Sequence, residues 1–413
     1  MSKYKESVLD NGLRIITHED KSVPIVDIQL VFKAGSRYEE EHQKGYAHIL
    51  EHMLLKGTTK RPSPVLLAQE IDSKGGYKNA YTSRESLVMI LQAADNYAEE
   101  LLELLSDMFL NSLIDSVTLE NEKKVIIEEL KRADDNTESF FGRFTFEKLF
   151  SGHPLATNIL GDVESIKSAS SDKLRTYKEK FLLPSRAALV ISGNMDHDRA
   201  IVLAKKYFNE WSSEKSDIVQ SVVFNSVNQG PYFYAKDTKQ TLVAYNFLTI
   251  SAEKIKELAA LDILQNFLNF GGSSVLAEEL RHKRGLVYAV GLINTTFNDA
   301  GLFRIQTSTS KPKETIEAIK DIFHNLKSSF TEDLLSGIKL RLIGAFKLRI
   351  ANPYNQTGFL SAGFIAQAKL FTPEEYISEI NSISYDEIVR VIDTYLVPEK
   401  AVITAIGPED FSK

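Results

Sequence analysis

The chain has 413 residues, 43% of them hydrophobic and 25% charged, an ordinary globular composition that excludes a disordered or fibrous protein. Net charge is −7 without a long basic block, which argues against a nucleic-acid partner, since phosphate neutralisation needs clustered Lys and Arg. The absence of cysteine excludes disulfides, thiol nucleophiles and Cys-ligated metals, so any metal site must use His and carboxylates. At roughly 100–200 residues per domain, the length suits two or three domains with cores of their own. No apolar run approaches the roughly 18 residues of a membrane helix, so no membrane span is expected. The first twenty residues hold neither an apolar stretch nor an Arg/Ser-rich amphipathic pattern, so a signal or transit peptide is not expected.

Residues 13–17 and 25–33 read as strands; in the second, Val26, Ile28 and Leu30 alternate with Asp27 and Gln29. Helices are expected over 45–56 and 64–73, then two strands, 77–83 and 86–93, joined by a turn. Residues 96–112 carry an apolar helical face of Leu101, Leu102, Leu104, Leu105 and Met108. Long helices over 117–150 follow, and the apolar strand Ala187 to Ser192 leads into another helix. The second half repeats this order. Strands fall near 231–235 and 241–248, helices near 253–268 and 274–283, strands near 286–297 and 300–308, then further helices and a strand at 401–406.

The repetition is visible residue by residue. Phe181 to Gly193 and Tyr395 to Gly407 align at an offset of 214, with Pro184/Pro398, Ala187/Ala401 and Gly193/Gly407 in register. The same offset pairs Ile166 with Ile380, Ser170 with Ser384, Asp172 with Asp386 and Phe109 with Phe323. The reading is α+β: a tandem duplication of two similar domains of about 200 residues. Each is a mainly antiparallel sheet covered by helices, here expected on one face. The domains are placed at 1–212 and 231–413, joined by a polar linker at 213–230.

Chemistry concentrates in Gly45-Tyr-Ala-His48-Ile-Leu-Glu51-His52. His48 and His52 are i and i+4, so on a helix both imidazoles leave one face a turn apart, as two ligands of one tetrahedral metal would. Glu51, beside His52, can reach a water on that metal. This is the inverted zinc-peptidase order His-x-x-Glu-His, and the ligand types favour Zn²⁺. Two histidines that merely pack on an amphipathic helix would give the same pentapeptide. The duplication separates the two readings, because the offset maps His48, Glu51 and His52 onto Asp262, Gln265 and Asn266 while keeping Ile49/Ile263 and Leu50/Leu264. Only the first copy carries ligands, which favours one metal per chain. A third ligand should come from the helical segment after Leu119, where Glu122 and Glu129 lie seven apart and nearly on one face. Local spacing leaves Glu120, Glu122, Glu128 and Glu129 open.

These motifs resemble the pitrilysin/insulinase family of zinc peptidases. The similarity is to its short-chain branch, which includes the mitochondrial processing peptidase catalytic subunit and bacterial relatives. The family signature places a Glu 76 residues after the second His, and here 129 − 52 − 1 = 76. The resemblance therefore implies His48, His52 and Glu129 as ligands, Glu51 as general base and Glu122 as the supporting family glutamate. It also implies that Asn79 and Ala80, in Gly75-Gly-Tyr-Lys-Asn79-Ala80-Tyr-Thr82, contact substrate backbone on an edge strand, where an extended peptide can add as a further strand. In the second half, Arg281 and Tyr288 match the family's Arg-(six residues)-Tyr pair, which holds the substrate backbone and donates to the developing oxyanion.

The resemblance implies a zinc endopeptidase that takes peptides or unfolded segments into a clamp-like chamber. Long members supply the Arg/Tyr pair from a second half of a four-domain clamp. In a two-domain chain the pair is therefore expected to serve the zinc site of a partner subunit, in a homodimer. A bacterial cytoplasmic enzyme is expected. The alternative is a noncatalytic scaffold or partner subunit of a heterodimeric processing peptidase. Tyr46, Ile49, Leu55 and the segment His153-Pro-Leu-Ala depart from the usual family residues without removing a chemical group.

Overall fold

The computed structural model describes residues 3–212, 230–366 and 372–410. Most of the expected linker, 213–229, lies outside the described residues. The first half runs β1 (Tyr4–Val8), β2 (Arg14–Glu19), β3 (Ile25–Phe32), α1 (Tyr46–Leu54), α2 (Pro64–Asp72), β4 (Tyr77–Thr82), β5 (Leu87–Ala94) and α3 (Ala98–Leu110). It continues with α4 (Ser116–Asp135), α5 (Thr137–Leu149), α6 (Val163–Ser168), α7 (Ser171–Phe181), β6 (Ala187–Gly193) and α8 (His197–Phe208). The second half runs β7 (Tyr232–Ala235), β8 (Thr241–Thr249), α9 (Ile255–Asn269), β9 (Val290–Thr296), β10 (Gly301–Thr309), α10 (Pro312–His324) and α11 (Leu326–Ser329). It ends with α12 (Glu332–Ile350), α13 (Pro353–Ile365), α14 (Pro373–Ser382), α15 (Tyr385–Tyr395) and β11 (Val402–Gly407).

Two sheets result, one of six strands in the order β1-β2-β6-β3-β5-β4 and one of five in the order β7-β11-β8-β10-β9. Among the described residues only β2/β6 and β7/β11 pair in parallel, so both sheets are mainly antiparallel, as expected. The duplication extends to capping chemistry. Ser170 accepts from Lys173 N at the start of α7, and Ser384 accepts from Glu387 N at the start of α15. A Ser at the helix N-cap satisfies an orphan N–H in both copies. Gly193 has φ +117, and a Cβ there would lie 2.1 Å from the Ile25 carbonyl oxygen, which explains why glycine ends that strand.

The two compact units draw on both halves of the sequence. One takes Met1–Asp135, Thr157–Gln220 and Arg349–Ile365; the other takes Asn136–Ala156, Ser221–Leu348 and Ala366–Lys413, each through its described residues. In the first unit, Val26, Ile28, Leu30 and Phe32 point from β3 into a core with α1, α3, α7 and α8. The opposite face is covered too, by α13. The alternation of Asp27 and Gln29 with apolar residues had implied a solvent face, yet they are 0% and 2% exposed. Gln29 Nε2 donates to Thr357 Oγ1 at 2.7 Å, Ser361 Oγ donates to Gln29 Oε1 at 2.9 Å, and the Thr357 hydroxyl donates to Asp27.

The second unit mirrors this. Val243, Tyr245 and Phe247 face α9, α10 and α15, while Phe141 and Phe144 of α5 pack against Leu242, Ala244 and Ile406 on the other face. Thr145 and Thr404 share a buried hydrogen bond of 2.9 Å there. The expectation of helices on one face of each sheet is thus corrected. The long helices expected over 117–150 are α4 and α5, and Asn136 divides them and caps α5 by accepting from Ser139 N.

Candidate metal centre

Helix α1 is held by its surroundings before it holds anything itself. Gly45 starts it at φ +90, where a side chain would be strained and would meet Gly161 Cα at 3.0 Å. The half-buried Glu39 carboxylate accepts from the N–H groups of Gly45 and Ala47, each at 2.8 Å, satisfying the helix start. Tyr46, Ala47, Ile49, Leu50, Met53 and Leu54 bury the core face. The helical period leaves His48, Glu51 and His52 together on the other side.

Helix α4 faces them. His48 Nε2 lies 3.8 Å and His52 Nε2 3.7 Å from Glu129 Oε2. These three ligand atoms fall within 4.8 Å of one another. A tetrahedral zinc with bonds of about 2.0–2.2 Å needs ligand separations of roughly 3.3–3.6 Å, so small side-chain rotations close the set. Two imidazole nitrogens and one carboxylate oxygen fit zinc in chemistry as well as spacing. Burial, with His52 beside it, lowers the His48 pKa to about 4, so its imidazole is neutral at pH 7, the form that binds metal. His48 Nδ1 is buried and makes no hydrogen bond among the described residues.

The ambiguity among the four glutamates resolves by position. Glu122 Oε2 sits 3.1 Å from His52 Nδ1, and its Oε1 sits 2.8 Å from Lys56 Nζ. Burial raises the Glu122 pKa, but the bonds to Lys56 and His52 outweigh it, leaving the carboxyl below its ordinary value. Glu122 therefore meets His52 on the opposite ring nitrogen from Glu129. Glu120 and Glu128 point outward, 65% exposed, in ion pairs with Lys123 and Lys131.

Glu51 Oε2 accepts from Thr82 Oγ1 at 2.6 Å. Burial raises the Glu51 pKa, and the Thr82 bond works against that shift. Thr82 ends β4, the outermost strand of the six-stranded sheet, which pairs only with β5. Asn79 is exposed on that edge strand and Ala80 is buried, consistent with alternating faces. Sequence reasoning named neither Lys56 nor Thr82 for the site. The signals were present: Lys56 is four after His52, just past the end of α1, and Thr82 is two after Ala80 on the same strand face.

Arg281 and Tyr288 belong to the second unit, where they form a pair of their own. The guanidinium lies over the phenol ring at 5.1 Å from its centroid, and Tyr288 is 80% exposed. Arg281 sits in a π-helical turn, Ala277–Lys283, where a regular helix was expected. The erased ligand positions are rebuilt as hydrogen bonds within this unit. Asp262 accepts from Asn294 Nδ2 at 2.9 Å and Tyr376 OH at 2.7 Å, and Arg341 Nε donates to Asn266 Oδ1 at 2.7 Å. A guanidinium bound to Asn266 joins α12 to α9 there, on the helices that correspond to α4 and α1.

Residues 14–163 match the family model described as insulinase (peptidase family M16), and residues 168–342 match the peptidase M16 inactive domain. An uncharacterized zinc protease of Rickettsia bellii is 30% identical over 99% of this chain and 98% of its own length. The mitochondrial-processing peptidase subunit beta of Bos taurus is 28% identical over 97% of this chain and 83% of its own. A crystal structure of a peptidase M16 inactive domain from Pseudomonas fluorescens superposes with a TM-score of 0.90 at 19% identity, covering 98% of each chain. The chain belongs to the insulinase family, peptidase family M16.

Proposed function

We propose that this member of peptidase family M16 is a zinc-dependent endopeptidase acting on peptides or unfolded segments, with one zinc per chain. The observation that carries the reading is the convergence of His48, His52 and Glu129 from two helices, with Glu51 alongside and bonded to an unpaired sheet edge. His48, His52 and Glu129 would hold the metal. Zinc, when bound, supplies a Lewis acid for a carbonyl and brings the pKa of a water toward about 7. Glu51 takes a proton from the attacking water and returns it to the leaving amine. Glu122 accepts the Nδ1 proton of His52, which fixes the tautomer that leaves Nε2 free as a ligand. The outer edge of β4, at Asn79 and Ala80, receives an extended peptide as an added strand.

Arg281 and Tyr288 act on substrate bound to a partner subunit in a homodimer, the arginine on its backbone and the phenol on the developing oxyanion. The exposure of Tyr288 supports this, since its hydroxyl is open to a ligand. Among the described residues no helix is long and apolar enough to cross a membrane. A bacterial cytoplasmic setting is part of this reading, its bacterial half supported by zinc-protease relatives such as that of Rickettsia bellii. Cleavage of a quenched fluorogenic basic peptide of about 10–20 residues, with chelator and with zinc restored, tests the reading. Chelation should abolish cleavage and zinc should restore it. Failure of zinc-loaded protein to cleave several peptides would favour the noncatalytic role, which the match of the second half to an inactive domain makes the natural rival.

A further inference from the structure

The Thr82 hydroxyl donates to Glu51 Oε2 at 2.6 Å. The strand period puts Lys78, Ala80 and Thr82 on the face toward α1, and Tyr77, Asn79 and Tyr81 on the other. The hydroxyl that sets the carboxylate is therefore carried by the strand on which a peptide would add.

We infer that Thr82 is a positioning residue that orients the Glu51 carboxylate and couples that orientation to the edge strand β4. The inference rests on the peptidase reading above. Its chemistry is specific. With Oε2 occupied by the Thr82 hydroxyl, Oε1 is left to accept the proton of the attacking water. A hydroxyl can donate to Oε2 both of the carboxylate, where the bond is stronger, and of the carboxylic acid protonated on Oε1, so the bond can persist through the proton transfer. A strand added along β4 would restrain β4 and with it this bond, so an occupied edge presents a better-aligned base than an empty one.

The test compares Thr82→Val, which keeps the shape and loses the donor, with Thr82→Ser, which keeps the donor. With the fluorogenic peptide, Thr82→Val should lower kcat about 10- to 100-fold while KM stays within about twofold, and Thr82→Ser should retain most of kcat. Zinc content and melting temperature should match the parent protein. Crystal structures of metal-free protein give a second readout that needs no turnover. The Glu51 carboxylate should leave its position in Thr82→Val and keep it in Thr82→Ser. Unchanged kcat in Thr82→Val, an equal loss in Thr82→Ser, or an unmoved Glu51 would each overturn the inference. If Thr82→Val fails to fold, Thr82→Ala replaces it with the same expectations. Inactivity of the parent protein counts against the peptidase reading instead, and the structures then decide the role of Thr82 alone.

Discussion

Replacing Glu122 by Gln removes one negative charge behind a ligand while keeping shape and size. In the native site Glu122 accepts from His52 Nδ1 at 3.1 Å and from Lys56 Nζ at 2.8 Å, and its side chain is 9% exposed. Both contacts bear on the metal. The first fixes the His52 tautomer and raises the basicity of Nε2; the second neutralises an ammonium one turn beyond His52. Loss of a partner of this kind costs about 10- to 100-fold in metal affinity, or about 1.4–2.7 kcal/mol. The upper end is expected here, because Lys56 keeps its charge beside a dication in a partly buried site. Competition with a chromophoric zinc chelator at pH 7 measures the affinity directly. Glu120→Gln is the control, being on the same helix, 65% exposed and paired only with Lys123. A zinc affinity for Glu122→Gln within about twofold of the parent, at equal melting temperature, would refute the reasoning.

Three further outcomes are expected. Glu51→Gln should bind zinc stoichiometrically yet lose about 10²- to 10⁴-fold in turnover; retained activity would remove Glu51 as the general base. Burial raises the Asp27 pKa from 3.8 to about 6, against hydrogen bonds from Thr357 and Gln29, so the folded state keeps a proton that the unfolded chain releases. Stability should therefore decline as pH rises from about 4 through about 6, by roughly 3 kcal/mol in total. Urea unfolding of the parent and of Asp27→Asn across this range should differ by this share of the slope, present in the first and missing in the second. Finally, His48→Ala and Arg281→Ala proteins, each inactive, should regain activity when mixed and allowed to exchange subunits; no recovery in a demonstrated mixed dimer would argue against sites shared between subunits.

Much of the architecture was legible because duplication marks it twice. Prolines, N-cap serines and strand-ending glycines recur at one offset, and each has a local physical job that fixes it in sequence. That His48 and His52 share a face was legible because i, i+4 on a helix is a local relation. Which glutamate joins them was legible only through the family spacing, not from the local sequence. Glu122 and Glu129 share a face, and only the packing of α4 on α1 decides which carboxylate meets Nε2 and which meets Nδ1. The undersides of the sheets were misread for a related reason. Asp27 and Gln29 alternate with apolar residues as a solvent face would, and nothing in β3 announces that Thr357 and Ser361, more than 300 residues away, will cover them. Likewise, the periodicity of α5 shows that it has an apolar side, but not which sheet that side will cover.

The reciprocal placement of α5 and α13 bears on what would happen if the backbone were severed between residues 212 and 230. Neither fragment would own a finished unit. The N-terminal piece would carry Phe141 and Phe144, which belong against Leu242 and Ile406, and the C-terminal piece would carry Thr357 and Ser361, which belong against Asp27 and Gln29. A nicked protein should therefore stay together under native conditions and separate only in denaturant. Either half expressed alone should misfold or aggregate, because a buried polar layer and an apolar sheet face would open to solvent together. The two halves are copies by descent, yet in folding they are a single obligate assembly.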